Sequence, residues 1–230
     1  VDLVHEGRIS EERINESVKR ILRQTFMLGL FENPYVDPAR AEQIVQSPEN
    51  QALGYQAQLE SIIMLTNNGA LPFSEATLEQ VSNEYVARRT KVFVLGIDEK
   101  TARNYAEVVD DPTLADVAVV RVSVGRGGFP EEAMDMIKAI ADTGVPTAVV
   151  MNLGSPVVIP QELFDIAAGT FTVFDVLDAP VLDVVFGRFN PVGKLPYQLP
   201  STTESIENQL EDVPFDLEDP LFDFGHGLSY

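Results

Sequence analysis

A glycine-rich turn is the first feature of this sequence that could bind a ligand. Gly125-Arg126-Gly127-Gly128 lies between an apolar run and a predicted helix, where main-chain N–H groups can cradle a phosphate. The turn lacks the full dinucleotide-binding fingerprint and also the Lys-Ser/Thr pair of a P-loop. We therefore interpret it as a tight turn between a strand and a helix rather than as a nucleotide site.

Two polar residues follow another predicted strand, in the segment Asn152-Leu153-Gly154-Ser155-Pro156. Ligands of open α/β sheets bind outside the carboxyl ends of the strands, which makes Asn152 and Ser155 candidate substrate-binding residues. The alternative is that each side chain caps a turn or a helix, and the sequence does not choose between the two roles.

The cysteine and histidine contents exclude several kinds of site. The sequence has no cysteine, which removes disulfides, thiolate metal sites and cysteine nucleophiles. Its two histidines, His5 and His226, are far apart, so neither a histidine-based zinc site nor a Ser-His-Asp triad is expected. We predict no metal and no cofactor. His226, between two glycines, is predicted to pack or to cap rather than to catalyse.

Charge and hydropathy exclude further classes of protein. A net charge of −20 repels phosphate backbones, so we expect no nucleic-acid partner, whereas a neutral sugar is not discouraged. No apolar run approaches the ~18 residues of a membrane span, so no membrane partner is expected. The chain shows no signal peptide, and its compartment is left open. Its start at Val1-Asp2-Leu3, without Met, predicts a fragment of a longer protein.

The elements that would position these residues follow from hydrophobic periodicity. A helix is predicted from Ser10 to Leu28 with one apolar stripe, and Pro34 then favours an extended linker. The later predicted strands are 62–65, 91–97, 116–124, 147–151 and 170–174, and the predicted helices are 47–60, 130–143 and 178–186. Strands that are apolar throughout are covered on both faces. The sequence thus predicts an α/β fold, a three-layer αβα sandwich with a mostly parallel sheet, preceded by an N-terminal helix and an extended linker.

The last part of the chain has a different composition. Three prolines in residues 190–200 predict an extended segment that is not a central strand. Residues 201–223 are acidic and are predicted to form a surface loop. The chain end is then predicted to dock on the domain through its large apolar side chains, with Gly225 and Gly227 allowing close approach or positive φ. These expected anchors are Phe222, Phe224, Leu228 and Tyr230.

Four stretches together resemble glycoside hydrolase family 3, in the order that this family uses. They are Gly7-Arg8-Ile9-Ser10 through Arg20-Ile21-Leu22 to Gly29-Leu30-Phe31-Glu32-Asn33-Pro34-Tyr35, Ser61-Ile62-Ile63-Met64-Leu65-Thr66-Asn67 with Leu71-Pro72-Phe73, Val184-Val185-Phe186-Gly187 with Asn190-Pro191-Val192-Gly193-Lys194-Leu195-Pro196, and Phe224-Gly225-His226-Gly227-Leu228-Ser229-Tyr230. The resemblance implies that residues 1–40 are the end of a barrel domain and a linker, and that residues 41–200 form the α/β sandwich. Residues 201–230 are then an acidic loop and a docking segment.

The resemblance also implies a chemistry, the hydrolysis of O-glycosyl bonds. A retaining mechanism needs two carboxyl groups roughly 5–5.5 Å apart, and in this family the nucleophile is an Asp of the barrel, which this chain lacks. The acid/base candidates here are Glu131 and Glu132, by their position after the third clear strand. They follow Pro130 at a helix start, where the helix dipole stabilises a carboxylate, whereas a general acid needs the opposite. We favour their interpretation as helix-start acids.

The sequence departs from the family in the loops that would face the sugar. Only five residues, 125–129, separate the third clear strand from its helix, and Asp175-Val176-Leu177-Asp178-Ala179 stands where the family has a Gly-rich loop. Thr66 stands where the family has Lys. Two hypotheses follow: the C-terminal domain of an exo-acting β-glucosidase, β-xylosidase or N-acetylglucosaminidase, inactive alone, or a degenerate α/β module that binds a sugar or a partner. The expected partners are a carbohydrate, the missing barrel domain and a second copy through the N-terminal helix.

Overall fold

A computed structural model describes residues 1–210 and 212–230 of the chain. These residues form two compact units, Val1–Gln51 and Ala52–Tyr230. Within the described residues, no helix combines the length and the apolar character that crossing a membrane requires.

The first unit is helical. It contains α1 (Asp2–His5), α2 (Glu11–Met27), α3 (Pro38–Val45) and the start of α4 (Pro48–Ser61). The predicted helix of residues 10–28 is confirmed: Ser10 Oγ caps α2 by accepting the Arg13 N–H at 3.2 Å, and Gly29 follows it with a φ of +66°. The apolar stripe of α2 is exposed, up to 67% at Ile21.

The second unit contains the remaining elements. In chain order they are β1 (Ile63–Asn67), β2 (Ala76–Val81), β3 (Glu84–Arg89), β4 (Lys91–Leu95), α5 (Glu99–Ala102), β5 (Glu107–Val109), a 3₁₀ turn (Pro112–Leu114), β6 (Val117–Val124), α6 (Glu131–Ala141), β7 (Thr147–Leu153), α7 (Gln161–Ile166), β8 (Gly169–Val173), α8 (Asp178–Val185), β9 (Leu199–Pro200), α9 (Thr203–Glu207) and β10 (Pro220–Phe222).

A six-stranded sheet forms the centre of this unit, in the order β1-β8-β7-β6-β4-β5. Every pair is parallel except β1 with β8, which is antiparallel. All five predicted strands are present, with ends that differ by a few residues, so the prediction of a mostly parallel sheet is confirmed. Thr66, at the family's Lys position, lies within β1 and shares a 2.8 Å hydrogen bond between hydroxyl groups with Thr170 of β8.

Helices cover both faces of the sheet, which confirms the three-layer sandwich. One buried cluster joins the sheet to α4, α5 and α8, with Val181 and Leu182 of α8 at its centre. The other cluster joins the sheet to α6 and α7, with Ile137 and Leu163 fully buried. The central strands are Val-rich because each of their faces is buried against a helical layer.

A hairpin that the sequence analysis missed lies outside the main sheet. Strands β2 and β3 pair antiparallel through a turn at Ser82, whose φ is +59°. Arg88 of β3 donates two hydrogen bonds of 2.6 Å to the carboxylate of Asp116, just before β6. This fork fastens the hairpin to the domain.

The chain end docks as predicted, but three of its four expected anchors are more than one third exposed: Phe224, Leu228 at 37% and Tyr230 at 39%. Leu228 N–H donates to the Met64 carbonyl at 2.8 Å, and Gly225 N–H donates to the Leu195 carbonyl at 2.9 Å. Phe224, expected to be an anchor, is 53% exposed because its ring contacts Phe215, which is itself exposed. Phe222, in contrast, is half-buried and its ring contacts Phe164.

The segments before the chain end were predicted in part. Residues 190–200 are extended and contribute only the two-residue strand β9, which pairs with β10 outside the main sheet, as expected. The description of residues 201–223 as loop alone is wrong, because α9 and β10 lie within it. Thr202 supplies the local reason for α9, since its Oγ1 accepts the Ser205 N–H at 3.1 Å.

Candidate functional site

The strands β4, β6, β7 and β8 end at one side of the sheet, which we call the carboxyl edge. Because these strands are parallel, the segments that follow them converge there. This is the side on which open α/β sheets bind ligands. Asn152 lies at the end of β7, and the segments that follow strands at this edge include the Gly125–Gly128 turn, Ser155 and residues 174–178.

Asn152 orients the main chain of a neighbouring segment. Its Oδ1 accepts the N–H of Asp175 at 2.7 Å, and Asp175 has a φ of +57°, a left-handed conformation that is strained for a residue with a Cβ. Asp175 is exposed. The observed contact of Asn152 is therefore the turn-stabilising one, and its role toward a substrate stays a prediction.

A partly buried ion pair lies beneath the same edge. Arg121, in the middle of β6, donates to Asp178 Oδ1 and to the Val176 carbonyl, each at 2.5 Å. The side chains of Arg121 and Asp178 are only 15% and 21% exposed, and Asp178 Oδ2 also accepts the Asp98 N–H at 2.8 Å. The pair thereby connects the segments that follow β4 and β8. Arg121 is the one charged residue in the Val-rich run 117–124, and this isolated charge is the feature of the sequence that points to a buried ion pair.

The glycine-rich turn is tight, as interpreted from the sequence. Gly128 N–H donates to the Gly125 carbonyl at 3.2 Å, and Gly128 has a φ of +95°. Arg126, Gly127 and Gly128 line a cavity of about 390 Å³ together with Ser155. The structure thus places Ser155 and the glycine-rich turn around one space.

Glu131 and Glu132 lie in the first turn of α6, and both are exposed. Glu131 lines a different cavity from Ser155, one that also includes Lys138 and Glu162. Lys138 Nζ pairs with Glu162 Oε2 at 2.8 Å.

Three hydroxyl groups are buried without a hydrogen-bond partner among the described residues. They belong to Ser155, to Thr172 of β8 and to Tyr197. Burial raises the pKa of Tyr197 to about 12, so its phenol stays protonated at neutral pH. The Tyr197 ring meets that of Phe174, the residue after β8, edge-on with centroids 6.1 Å apart. Tyr197 was not singled out from the sequence.

His226 contacts main chain and an aromatic ring. Its Nε2 lies 2.8 Å from the Leu65 carbonyl oxygen, and its ring stacks on Phe222 with centroids 4.5 Å apart. Both contacts agree with the packing role that we predict for this residue.

A hydrogen-bonded cluster that the sequence analysis missed surrounds Asp183. Tyr55 and Tyr105 donate their hydroxyl groups to its two carboxylate oxygens, and the Arg188 guanidinium stacks over the Tyr105 ring at 4.0 Å. Burial, reinforced by the Asp183 carboxylate, raises the pKa of Tyr55 to about 12 and also raises that of Tyr105. Both phenols are therefore protonated donors, and the cluster joins α4, the α5–β5 segment and α8. Across the described part of the chain, no group of three or more His, Cys, Asp or Glu side chains is arranged to hold a metal.

Comparison with known proteins identifies the domain. Residues 62–230 match the family described as the glycosyl hydrolase family 3 C-terminal domain. The chain belongs to this family.

Relatives of this family 3 domain are glycosidases of greater length. The chain is 39% identical to a probable beta-glucosidase C of Aspergillus flavus, covering 100% of this chain and 37% of the relative. It is 30% identical to a periplasmic beta-glucosidase/beta-xylosidase of Dickeya chrysanthemi, covering 100% of this chain and 36% of the relative. The family 3 domain and its N-terminal helices thus span less than two fifths of these relatives.

Solved structures share the fold. The crystal structure of a beta-glucosidase from Listeria innocua in complex with glucose has a TM-score of 0.69 and 21% sequence identity, covering 100% of this chain and 40% of that chain. A second Listeria innocua structure, in complex with isofagomine, has a TM-score of 0.67 at the same identity and covers 41% of that chain. At this identity the likeness shows the α/β sandwich alone.

Proposed function

We propose that the full-length protein is an exo-acting glycoside hydrolase of β-linked sugars, of the β-glucosidase or β-xylosidase kind, with an N-acetylglucosaminidase as the less supported specificity. The observation that carries this proposal is the 39% identity to a probable beta-glucosidase C over the whole of this chain. The similarity to a beta-glucosidase/beta-xylosidase supports β-xyloside as a second substrate class.

Within that protein, we assign residues 1–40 to the end of a barrel domain and a linker, and residues 41–200 to the sandwich. Residues 201–230 complete the domain as an acidic segment and a docking segment. The barrel supplies the Asp nucleophile, and the carboxyl edge of the sandwich contributes to the substrate pocket and braces it. The exposed apolar stripe of α2 then packs on the barrel, or on a second copy of the chain when the barrel is absent.

The proposal is tested by comparing two proteins, the full-length gene product and the 230-residue chain. Both are assayed with nitrophenyl β-glucoside, β-xyloside and β-N-acetylglucosaminide. We expect turnover by the full-length protein only, because one of the two required carboxylates lies outside this chain. Turnover by the purified chain alone would contradict the assignment of the nucleophile to the barrel domain.

A second candidate function is a sugar-binding module without catalysis. The short turn after β6 favours this non-catalytic candidate. The first carboxylates after that strand are the acid/base candidates Glu131 and Glu132, and both are exposed side chains at a helix start. Full-length protein that binds glucose but does not hydrolyse any of the three glycosides would support this candidate. We expect the variants Glu131→Gln and Glu132→Gln to keep most of the turnover of the full-length protein. A large fall in kcat that azide restores would instead assign the acid/base role to one of them.

A further inference from the structure

We propose that the cavity beside Arg126 binds the anionic group of an acidic sugar, a carboxylate or a sulfate, and that Arg126 supplies the recognising charge. This cavity of about 390 Å³ opens between the turn after β6, the segment after β7 and helix α9. The inference depends on the proposed function only for the kind of ligand, a sugar.

The charge of the cavity lining is the first observation. The chain has a net charge of −20, yet among the described residues that line this cavity there is Arg126 and no Asp or Glu. A second cavity is lined by residues between 201 and 219, and the described ones include four carboxylates. They belong to Glu204, Asp216, Glu218 and Asp219. In a protein this acidic, the cavity beside Arg126 is therefore set apart by its positive charge.

The second observation is that the Arg126 guanidinium is unengaged. Arg126 makes no ion pair or hydrogen bond with the described residues. The other arginines of the unit Ala52–Tyr230 contact a carboxylate or a carbonyl group; they are Arg88, Arg89, Arg103, Arg121 and Arg188. An arginine presents a planar fork of donors that matches a carboxylate or a sulfate in a bidentate way. The fork at Arg126 is available for such a group.

The turn itself leaves room beside Arg126. A Cβ added at Gly125, Gly127 or Gly128 would meet no atom within 4 Å, so the main chain there is open to an approaching ligand. The Gly128 N–H is already used within the turn, which leaves a poor cradle for a phosphate. The start of α6 is also unsuited to a phosphate, because the Glu131 carboxylate already lies in its first turn. Glu131 lines a separate cavity. The anion is thus recognised by the guanidinium rather than by the helix.

The remaining lining fits a sugar ring. Thr203 brings a hydroxyl group to the lining, whereas Ser155 Oγ is buried and has no hydrogen-bond partner among the described residues. Pro156 and Ile206 bring apolar surface of the kind that packs on the C–H groups of a pyranose. The volume lies within the usual range of roughly 300–1,000 Å³ for small-molecule sites.

The test is calorimetric titration of the full-length protein at low ionic strength, with glucuronate, glucose 6-sulfate, glucose and inorganic phosphate. We expect glucuronate or glucose 6-sulfate to bind at least about tenfold more tightly than glucose, because a hydrogen bond to a charged group is worth that much. The two acidic sugars separate a carboxylate site from a sulfate site. Phosphate that binds as tightly as the better acidic sugar would overturn the assignment to a sugar.

Variants locate the effect. Arg126→Gln is expected to abolish the preference for the acidic sugar, and Arg126→Lys to retain part of it. Arg103→Gln is the matched control, because it changes the net charge equally at an exposed ion pair with Glu99. Equal affinity of the wild-type protein and Arg126→Gln for the acidic sugars would overturn the proposal, as would loss of the preference in Arg103→Gln.

Hydrolysis of neutral nitrophenyl β-glucoside, measured on the same preparations, separates this inference from the proposed function. Binding of an acidic sugar through Arg126 without turnover would retain the inference and overturn the proposed hydrolase. Turnover without any preference for an acidic sugar would overturn the inference and retain the hydrolase. A protein that neither binds nor hydrolyses would overturn both.

Discussion

The side-chain oxygen of Asn152, near the end of β7, accepts the main-chain N–H of Asp175, two residues beyond β8, at 2.7 Å. Asp175 has a φ of +57°, so one hydrogen bond holds a strained turn at the carboxyl edge of the sheet. The contact fixes the relative position of two segments that follow neighbouring parallel strands.

The first prediction concerns this turn. In the 230-residue chain, Asp175→Gly is expected to raise the free energy of unfolding by roughly 1 kcal/mol, because glycine adopts positive φ without strain. Asn152→Ala is expected to lower it by about 1 kcal/mol through loss of the hydrogen bond. Urea denaturation measures both. If Asp175→Gly destabilises the chain, the turn is not strained in the way the geometry indicates.

The second prediction concerns the Arg121–Asp178 pair. Arg121→Met removes the cation from a carboxylate that is only 21% exposed, and the free energy of unfolding should fall by about 2–4 kcal/mol. Adding Asp178→Asn should restore part of the loss. Arg103→Met, in an exposed pair with Glu99, is the matched control and should change stability little. Equal effects of the two arginine substitutions would contradict the structural role of Arg121.

The third prediction separates two glycines of the chain end. A Cβ at position 227 would lie 2.2 Å from the Gly193 carbonyl oxygen, so Gly227→Ala must displace main chain and should lower the free energy of unfolding by about 1–3 kcal/mol or more. At Gly225 a Cβ would meet nothing within 4 Å, although its φ is +79°. Gly225→Ala should therefore lose only about 1 kcal/mol. Thermal unfolding in which Gly225→Ala is the more damaging change would contradict the docking geometry.

The fourth prediction concerns pH. The hydrogen bonds from Arg88 are the largest cause that holds the pKa of Asp116 below its ordinary value. Because the pKa of Asp116 is lower in the folded state, its stabilising contribution is complete above the unfolded pKa of about 3.9 and is lost as the pH falls through the folded value. The difference in unfolding free energy between the wild-type chain and Asp116→Asn should thus be largest at neutral pH and shrink below about pH 4. Arg88→Gln should weaken this pH dependence without removing it, because the Lys91 N–H, which also donates to Asp116 and lowers its pKa, remains. If the difference in unfolding free energy stays constant down to pH 2, this ion pair does not cause the pH dependence of stability.

Local pattern determined much of the sandwich from the sequence alone. Val-rich runs such as residues 117–120 are apolar at successive positions, which indicates burial on both faces and hence a sheet between two helical layers. The cap at Ser10 and the glycine at position 29 marked both ends of α2, because capping depends on neighbouring residues only. The large apolar side chains of the chain end predicted its docking. Of the segments that carry the family resemblance, 62–65 and 184–186 lie in the core, whereas 7–35 and 224–230 are largely exposed.

Tertiary structure decided what depends on residues that are distant in the chain. A short apolar run shows that β1 is buried but not that it runs antiparallel to β8, since burial does not fix direction. The exposure of Phe224 depends on where the chain end lies on the domain, and the hydrophobicity of the side chain does not predict that position.

The candidate site divides in the same way. The sequence placed Asn152 and Ser155 at a strand end, because strand ends are local features. It could not show that Asn152 is engaged by Asp175, 23 residues later, nor that Arg121 meets Asp178 across 57 residues. Such pairs form only once the order of the strands in the sheet brings their ends together.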